Sequence, residues 1–288
     1  MVDQGGTCQA EPVHRFSQVD VFTDELTYGN PLAVVHDADD LSDDRLAAIA
    51  RWTNLSETTF LLAPTDPAAD YRVRIFTVDG ELPFAGHPTL GSASAWRAAG
   101  GVPRDPGRIV QECGVGLVSL RPDGERLAFA APPLLHGGAV SDDDRAELIR
   151  WLGVAAEEVV DCQWVDNGPG WVGVLLRDAA TVLRVRPAGP GRLRDVGIIG
   201  LHPPGAACDV EVRALFAVGG EVREDPVTGS LNASLAQWLI GGGRLPTSYV
   251  AAQGTVIGRR GRVYVTADGD DIWVGGDVRA GVTGTLAL

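Results

Sequence analysis

Three short segments gather side chains that can move protons or hold an anion. Asn54-Leu55-Ser56-Glu57-Thr58-Thr59-Phe60 sets one carboxyl group between apolar and hydroxyl neighbours. Glu81-Leu82-Pro83-Phe84-Ala85-Gly86-His87-Pro88-Thr89 carries an acid and an imidazole around a glycine. Glu224-Asp225-Pro226-Val227-Thr228-Gly229-Ser230 carries two acids and two hydroxyls. A carboxyl group can serve as both base and acid when burial raises its pKa toward neutrality. The second and third segments stand where helical runs begin. A helix N-terminus has unpaired N–H groups and a positive dipole end, so it attracts a carboxylate. Each residue also has a plainer reading. A loop glutamate is often solvated, Asp225 before proline suits a turn, and His87 or Ser230 can simply cap a helix.

The elements that position these segments follow from pattern. Residues 88–99, PTLGSASAWRAA, and 229–240, GSLNASLAQWLI, are each followed by glycines and are small or apolar on nearly every face. A helix without a polar face is buried all round. Each follows a strand, an acid and a tight loop: Phe76, Gly80-Glu81 and His87 in one case, Phe216, Gly220-Glu221 and Asp225 in the other. The two stretches lie about 140 residues apart, a weak internal repeat. The chain is therefore expected to fold as two similar halves, each a sheet wrapped around one buried helix. In such a pair the two helix N-termini face each other across a cleft, which suits a small acidic ligand.

Period-two alternation predicts strands at 15–22 and 71–77. It also predicts strands starting near Ile109, Leu117, Leu127, Trp171, Val182, Val210, Val256, Val263 and Ile272. Ser42 and Ser141 are expected to cap helices over 43–52 and 142–152, both with acids in the first turn. Pro132-Pro133 and Gly137-Gly138 read as the linker. The expected division is a disordered tail at 1–12, halves at 13–131 and 132–275, and a last strand near 276–288 returning to the first half.

Composition narrows the function. Net charge is −14, with no basic stripe, which argues against nucleic acid. No apolar run is long enough for a membrane helix, and the N-terminus lacks the pattern of a signal peptide. Four cysteines without a CxxC pair suit free thiols in a reducing cytoplasm. All 24 basic residues are arginine, so a pyridoxal-phosphate Schiff base and a P-loop lysine are both excluded. The histidines show no metal-binding spacing, no GxGxxG lies between a strand and a helix, and the tryptophans read as packing.

The three segments also resemble the signature segments of the PhzF, phenazine-biosynthesis, family. Gly29-Asn30-Pro31-Leu32-Ala33-Val34, Asn167-Gly168-Pro169 and Gln253-Gly254-Thr255-Val256-Ile257-Gly258-Arg259 match in the family's order. The resemblance implies the α+β diaminopimelate-epimerase fold: two pseudo-symmetric halves, each a barrel-like sheet around a central helix. It implies a cofactor-free, metal-free isomerase of secondary metabolism and a homodimer. It also implies that Glu57 takes a proton from one ring carbon and returns it to another. His87, Asp225 and Ser230 fall on the family's supporting residues. Backbone N–H groups near Gly86, His87, Gly229 and Ser230 are expected to receive the carboxylate of a small unsaturated cyclic amino acid. Two alternatives stay open: a racemase or epimerase, and a non-catalytic binding protein. Epimerases of this fold use a cysteine pair, but Ala85-Gly86-His87 and Asp225-Pro226-Val227-Thr228-Gly229 occupy those positions. Cys113 in Cys113-Gly114-Val115-Gly116 reads as structural.

Overall fold

Strand ladders, rather than helices, carry most of the chain, and their order repeats. The structure, a computed structural model, describes residues 13–288 apart from 188, 190, 194 and 219; the tail expected at 1–12 lies outside them. The first half runs β1 (Val13–Val21), β2 (Asn30–Val35), α1 (Asp43–Thr53), β3 (Glu57–Leu62), β4 (Tyr71–Phe76), β5 (Glu81–Leu82), α2 (Gly86–Ala98), β6 (Ile109–Cys113), β7 (Gly116–Asp123) and β8 (Arg126–Ala130). The second runs β9 (His136–Ala139), α3 (Asp142–Leu152), β10 (Val159–Asp166), β11 (Val172–Leu176), α4 (Ala179–Arg184), β12 (Asp195–Leu201), β13 (Val210–Val218), β14 (Glu221–Asp225), α5 (Gly229–Gly241), β15 (Ser248–Gln253), β16 (Gly261–Asp268) and β17 (Asp271–Gly276). β18 (Val278–Ala287) follows.

In space the first half is β18–β1–β2–β3–β4–β6–β7–β8, with β5 as an arm on β4. The second is β9–β10–β11–β12–β13–β15–β16–β17, with β14 as an arm on β13. Both read antiparallel, antiparallel, parallel, antiparallel, parallel, antiparallel, antiparallel. β8 pairs with β17 and joins the halves. The C-terminal β18 takes beside β1 the place that β9 takes beside β10. This is an α+β fold of two pseudo-symmetric halves.

The arms fix how the repeat aligns. Glu81 pairs with Phe76 in one half, and Glu224 with Leu215 in the other. Glu81 therefore matches Glu224, not Glu221 as the sequence alignment had it. Gly86 then matches Gly229, and His87 matches Ser230.

α2 packs against β1, β2, β3, β6 and β8, with β18 beyond, and α5 packs against β10, β16 and β17. Leu90 and Ala93 of α2, and Leu231, Ala233, Leu235, Ala236 and Leu239 of α5, have no exposed surface and share one core with Val21, Phe129, Val212 and Val263. Full burial of each leucine contributes about 1.5–3 kcal/mol. The all-round apolar composition of these helices is thus the requirement of a helix enclosed by its own sheet. Where the helices meet, neither has a side chain to spare. A Cβ on Gly86 would lie 2.7 Å from the Gly229 Cα, and one on Gly229 would lie 2.9 Å from the Gly86 Cα. Only a glycine pair permits that approach.

Several expectations change. Ser42 and Ser141 cap α1 and α3 as expected, each accepting the N–H of the third residue on. The strand expected at Val182 is instead helix α4. Asp178 Oδ1 accepts the Thr181 N–H at 2.7 Å and starts a helix where the apolar run alone suggested extension. Val256 lies in a single 3-10 turn, Thr255–Ile257, between Gly254 and Gly258 in left-handed conformation. Gly137 and Gly138, expected as linker, pair with Val165 and Trp164 in β9. α2 starts at Gly86, two residues earlier than the proline suggested, since proline tolerates the first helical turn. Among the described residues, no helix is long and apolar enough to cross a membrane.

The glycine contact gives the first test. Gly86→Ala forces a methyl group into the Gly229 backbone and is expected to destabilise the fold by about 1–3 kcal/mol, the usual cost of overpacking. Thermal unfolding should show a Tm lowered by several degrees. An unchanged Tm would mean the two helix ends are not held in contact.

Candidate active site

Every acid–base residue singled out in the sequence sits on an element that ends at the junction of the halves. Glu57 is the first residue of β3, not a loop residue, and pairs with Leu32 of β2. Asp225 is the last residue of β14. His87 and Ser230 are each the second residue of a central helix. His87 and Ser230 are buried, and the Glu57 side chain is only 15% exposed.

Their contacts form one cluster. His87 Nε2 lies 3.4 Å from Glu57 Oε2. The Asn30 amide nitrogen, at the start of β2, donates to Val227 O at 2.9 Å and Asp225 Oδ1 at 3.1 Å and lies 3.3 Å from His87 Nδ1. Thr228 Oγ1 donates to Asp225 Oδ2. Gln253 closes the far side. Its Oε1 accepts from Thr228 N at 3.1 Å and Asn232 Nδ2 at 2.8 Å, and its Nε2 donates to Thr228 Oγ1 at 3.0 Å. Asn167 Nδ2 donates to Ser230 O at 2.8 Å, and Trp171 Nε1 donates to Ser230 Oγ at 3.3 Å.

Electrostatics follow from burial. Burial, and then the negative charge of Asp225, push the Glu57 carboxyl well above the usual carboxylate range. Burial also raises Asp225, to about 6, against hydrogen bonds from Thr228, Asn30 and Ser56 that favour its ionised form. The two negative charges oppose each other, so the pair does not ionise fully with ease, and the donors around Asp225 favour the charge there. Burial lowers His87 to about 3, so its contact with Glu57 joins neutral groups rather than an ion pair.

The two helix ends add donors. The N-caps Ala85 and Thr228 give no side-chain cap hydrogen bond. The first N–H groups of each helix, at Gly86 and His87 and at Gly229 and Ser230, have no acceptor within their own helix. An anion in this corner meets two positive dipole ends at once.

The structure thus brings Glu57, His87 and Asp225 together through Asn30, and Ser230 joins at the matching place on α5. Asn30, Gln253, Asn167, Trp171 and Thr228 carry much of the cluster but were not singled out as site residues. Asn30, Asn167 and Gln253 did stand in the matched Gly29-Asn30-Pro31, Asn167-Gly168-Pro169 and Gln253-Gly254 motifs. A buried amide beside a turn glycine was the available signal. Cys113 lies apart, with its thiol raised mainly by burial. Among the described residues, no three or more His, Cys, Asp and Glu side chains gather as metal ligands. A surface hollow of about 360 Å3 beside Arg15, His36 and Trp96, and one of about 390 Å3 beside Tyr28, Arg260 and Tyr264, both lie away from Glu57.

Residues 19–286 match the family model described as phenazine biosynthesis-like protein, PhzC-PhzF. The chain is 35% identical over 293 residues to antisense-enhancing sequence 1 of Schizosaccharomyces pombe, covering 94% of this chain and 98% of that one. It is 35% identical over 263 residues to trans-2,3-dihydro-3-hydroxyanthranilate isomerase of Pseudomonas aeruginosa, covering 89% and 91%. In fold it resembles the crystal structure of a PhzF-family phenazine biosynthesis protein of Enterococcus faecalis. The TM-score is 0.77 at 23% identity, covering 96% and 100%.

The raised carboxyls have a consequence for stability. Asp225 titrates near 6 in the folded chain and Glu57 well above its usual value, while both titrate near about 4 when unfolded. Between those values the folded state holds more protons, so stability falls as pH rises. The cost is absent below about pH 4 and fully present above the folded pKa values. Glu57→Gln removes one of the competing acids and is expected to unfold several degrees higher than the parent at pH 8. One pKa unit is about 1.4 kcal/mol, and each kcal/mol shifts Tm by about 2–4 °C. The advantage should shrink at pH 5. Calorimetry giving the same difference at both pH values would contradict the assignment.

Proposed function

The chain belongs to the PhzC-PhzF family of phenazine biosynthesis-like proteins, and from that premise we propose that it is a cofactor-independent isomerase. It moves a proton between two carbons of a small unsaturated cyclic amino acid, with Glu57 as the acid–base group. The observation that carries this reading is the Glu57–His87–Asp225 cluster at the meeting point of two uncapped helix N-termini. The named activity of the Pseudomonas aeruginosa relative, the isomerisation of trans-2,3-dihydro-3-hydroxyanthranilate, supplies the reaction class. The halves 13–131, with β18, and 132–275 serve as the two domains whose junction forms the cleft.

The chemistry needs no outside reagent. One C–H bond breaks, a carboxylate takes the proton, the electron pair shifts along the conjugated system, and a new C–H bond forms at its other end. Reactant and product are isomers. The same burial that raises the Glu57 pKa makes its carboxylate a stronger base than in water, while leaving its acid form able to return the proton. The substrate carboxylate is held by the N–H groups of Gly86, His87, Gly229 and Ser230, and that fixes the ring against Glu57. Asp225 and His87 orient its polar substituents. A role in secondary metabolism, on a phenazine-type precursor or an unsaturated proline-like unit of an antibiotic, fits this substrate chemistry. The free thiols of Cys113, Cys162 and Cys208 support a cytoplasmic setting.

The assembly is proposed to be a homodimer. β18 supports this, because it pairs only with β1 among the described strands and is exposed along nearly its whole length, including Val282. An edge of that length is usually covered. Light scattering at micromolar concentration is expected to give twice the 30.3 kDa chain mass. A monomer mass would remove this part of the reading.

Glu57→Gln is the direct test of the mechanism. It is expected to keep the fold and ligand binding while turnover of the substrate drops by at least about 10²–10⁴-fold, the range for general acid–base groups. Glu57→Asp should retain partial activity at most, because its carboxyl sits one methylene further from the ring. Near-parental turnover by Glu57→Gln on trans-2,3-dihydro-3-hydroxyanthranilate would sink the proposed role.

A further inference from the structure

His87 can orient Glu57 only if its own proton sits on the right nitrogen, and the imidazole does not decide this alone. With its pKa at about 3, His87 is neutral over the working range and carries one ring proton, on Nδ1 or on Nε2. Asn30 lies against Nδ1, with its amide nitrogen 3.3 Å away. The orientation of that amide is set by two other acceptors, Val227 O at 2.9 Å and Asp225 Oδ1 at 3.1 Å. Turning the amide over would press its oxygen against a carbonyl and a carboxylate, and would leave its NH2 where Oδ1 now lies buried without a partner. The group facing Nδ1 is therefore a donor with no lone pair. An Nδ1–H would point at that donor, so the arrangement favours a bare Nδ1 and a ring proton on Nε2, which faces Glu57 Oε2 at 3.4 Å without a formed hydrogen bond.

We propose that Asn30 is a positioning residue of this site. Its amide holds His87 as the Nε2–H tautomer, so that the ring N–H is turned toward Glu57 Oε2 and Glu57 Oε1 is the oxygen that carries the migrating proton. An oxygen that faces the imidazole N–H is a poor place for the carboxyl proton, which is thereby left on Oε1. Without the lock, an Nδ1–H imidazole would turn a bare Nε2 toward Glu57 and draw the carboxyl proton to Oε2, the wrong oxygen.

The matching residue in the other half shows the same arrangement. Ser230 stands on α5 where His87 stands on α2, and Trp171 Nε1 donates to its Oγ at 3.3 Å. A donor group from outside the helix thus faces an acceptor position on each side chain, which directs the hydrogen of that side chain elsewhere. The amide that performs this for His87 also crosses between the halves, since Asn30 belongs to β2 and Val227 to the turn before α5.

The inference rests on the proposed Glu57 reading for its catalytic meaning, but its test needs no substrate, so the two can fail separately. Protein labelled with 15N at histidine is compared by NMR as the parent, as His87→Gln to assign the resonances, and as Asn30→Leu. Leucine keeps the branching of asparagine, though it is larger, and has no donor. In the parent, the His87 Nε2 is expected to show the one-bond coupling and shift of a protonated ring nitrogen, and Nδ1 those of a bare one. In Asn30→Leu, the Nδ1–H form should rise to a measurable fraction. A role in packing alone would change stability and leave the tautomer as it was. A protonated Nδ1 in the parent overturns the proposal, and so does an unchanged His87 pattern in a folded Asn30→Leu. If that variant does not fold, the parent spectrum still decides which nitrogen carries the proton.

Discussion

The contact between the Gly86 and Gly229 backbones is the constraint on which the site depends. Two helices can meet N-terminus to N-terminus at this distance only if both first residues lack a side chain. The meeting is electrostatically unfavourable, because two positive dipole ends approach each other without side-chain caps. The rest of the structure tolerates it because each helix is enclosed by its own sheet. The concentration of donors left at the junction becomes useful only when negative charge enters. Asp225 supplies some of that charge in the free chain, and a ligand carboxylate would supply more.

Around this junction the burial of acids costs the fold stability. Glu57 and Asp225 compete in one water-poor corner, and the competition is resolved by donor count. Asp225 has Asn30, Thr228 and Ser56, whereas among the described residues Glu57 has the long contact with His87. Glu57 Oε2 and His87 Nε2 face each other in this buried corner without a hydrogen bond, a local exception to the pairing of buried polar groups elsewhere in the core.

The two halves repeat in topology but not in chemistry. Arg74 grips Glu81 on the exposed arm of the first half, and Arg213 grips Glu224 at the matching place in the second, there almost wholly buried. The next residue of each arm is Leu82 in one half and Asp225 in the other. His87 on α2 is answered by Ser230 on α5. A symmetric frame thus holds an asymmetric set of groups, which suits one acid–base residue on one face of a planar ligand better than two acting from opposite faces.

The sequence by itself determined the elements whose cause is local or periodic. The capped helices after Ser42 and Ser141, the two enclosed helices and the repeated halves were all legible, because capping residues and apolar faces are written in neighbouring positions. The three segments around Glu57, His87 and Asp225 were legible for the same reason. Short signals without context misled: Val182 and Val256 carry β-branched residues, but an Asp178 cap and two left-handed glycines override that preference. Only the tertiary structure decided that Glu81 matches Glu224 and that β1 is the strand of the first half to which the expected C-terminal strand, β18, returns. It alone joined Asn30 to Asp225 and Val227, which are far away in the chain. Register between strands and the partner of a buried amide depend on which surfaces meet. No single segment of the sequence encodes that meeting, because it is set by the packing of the whole core.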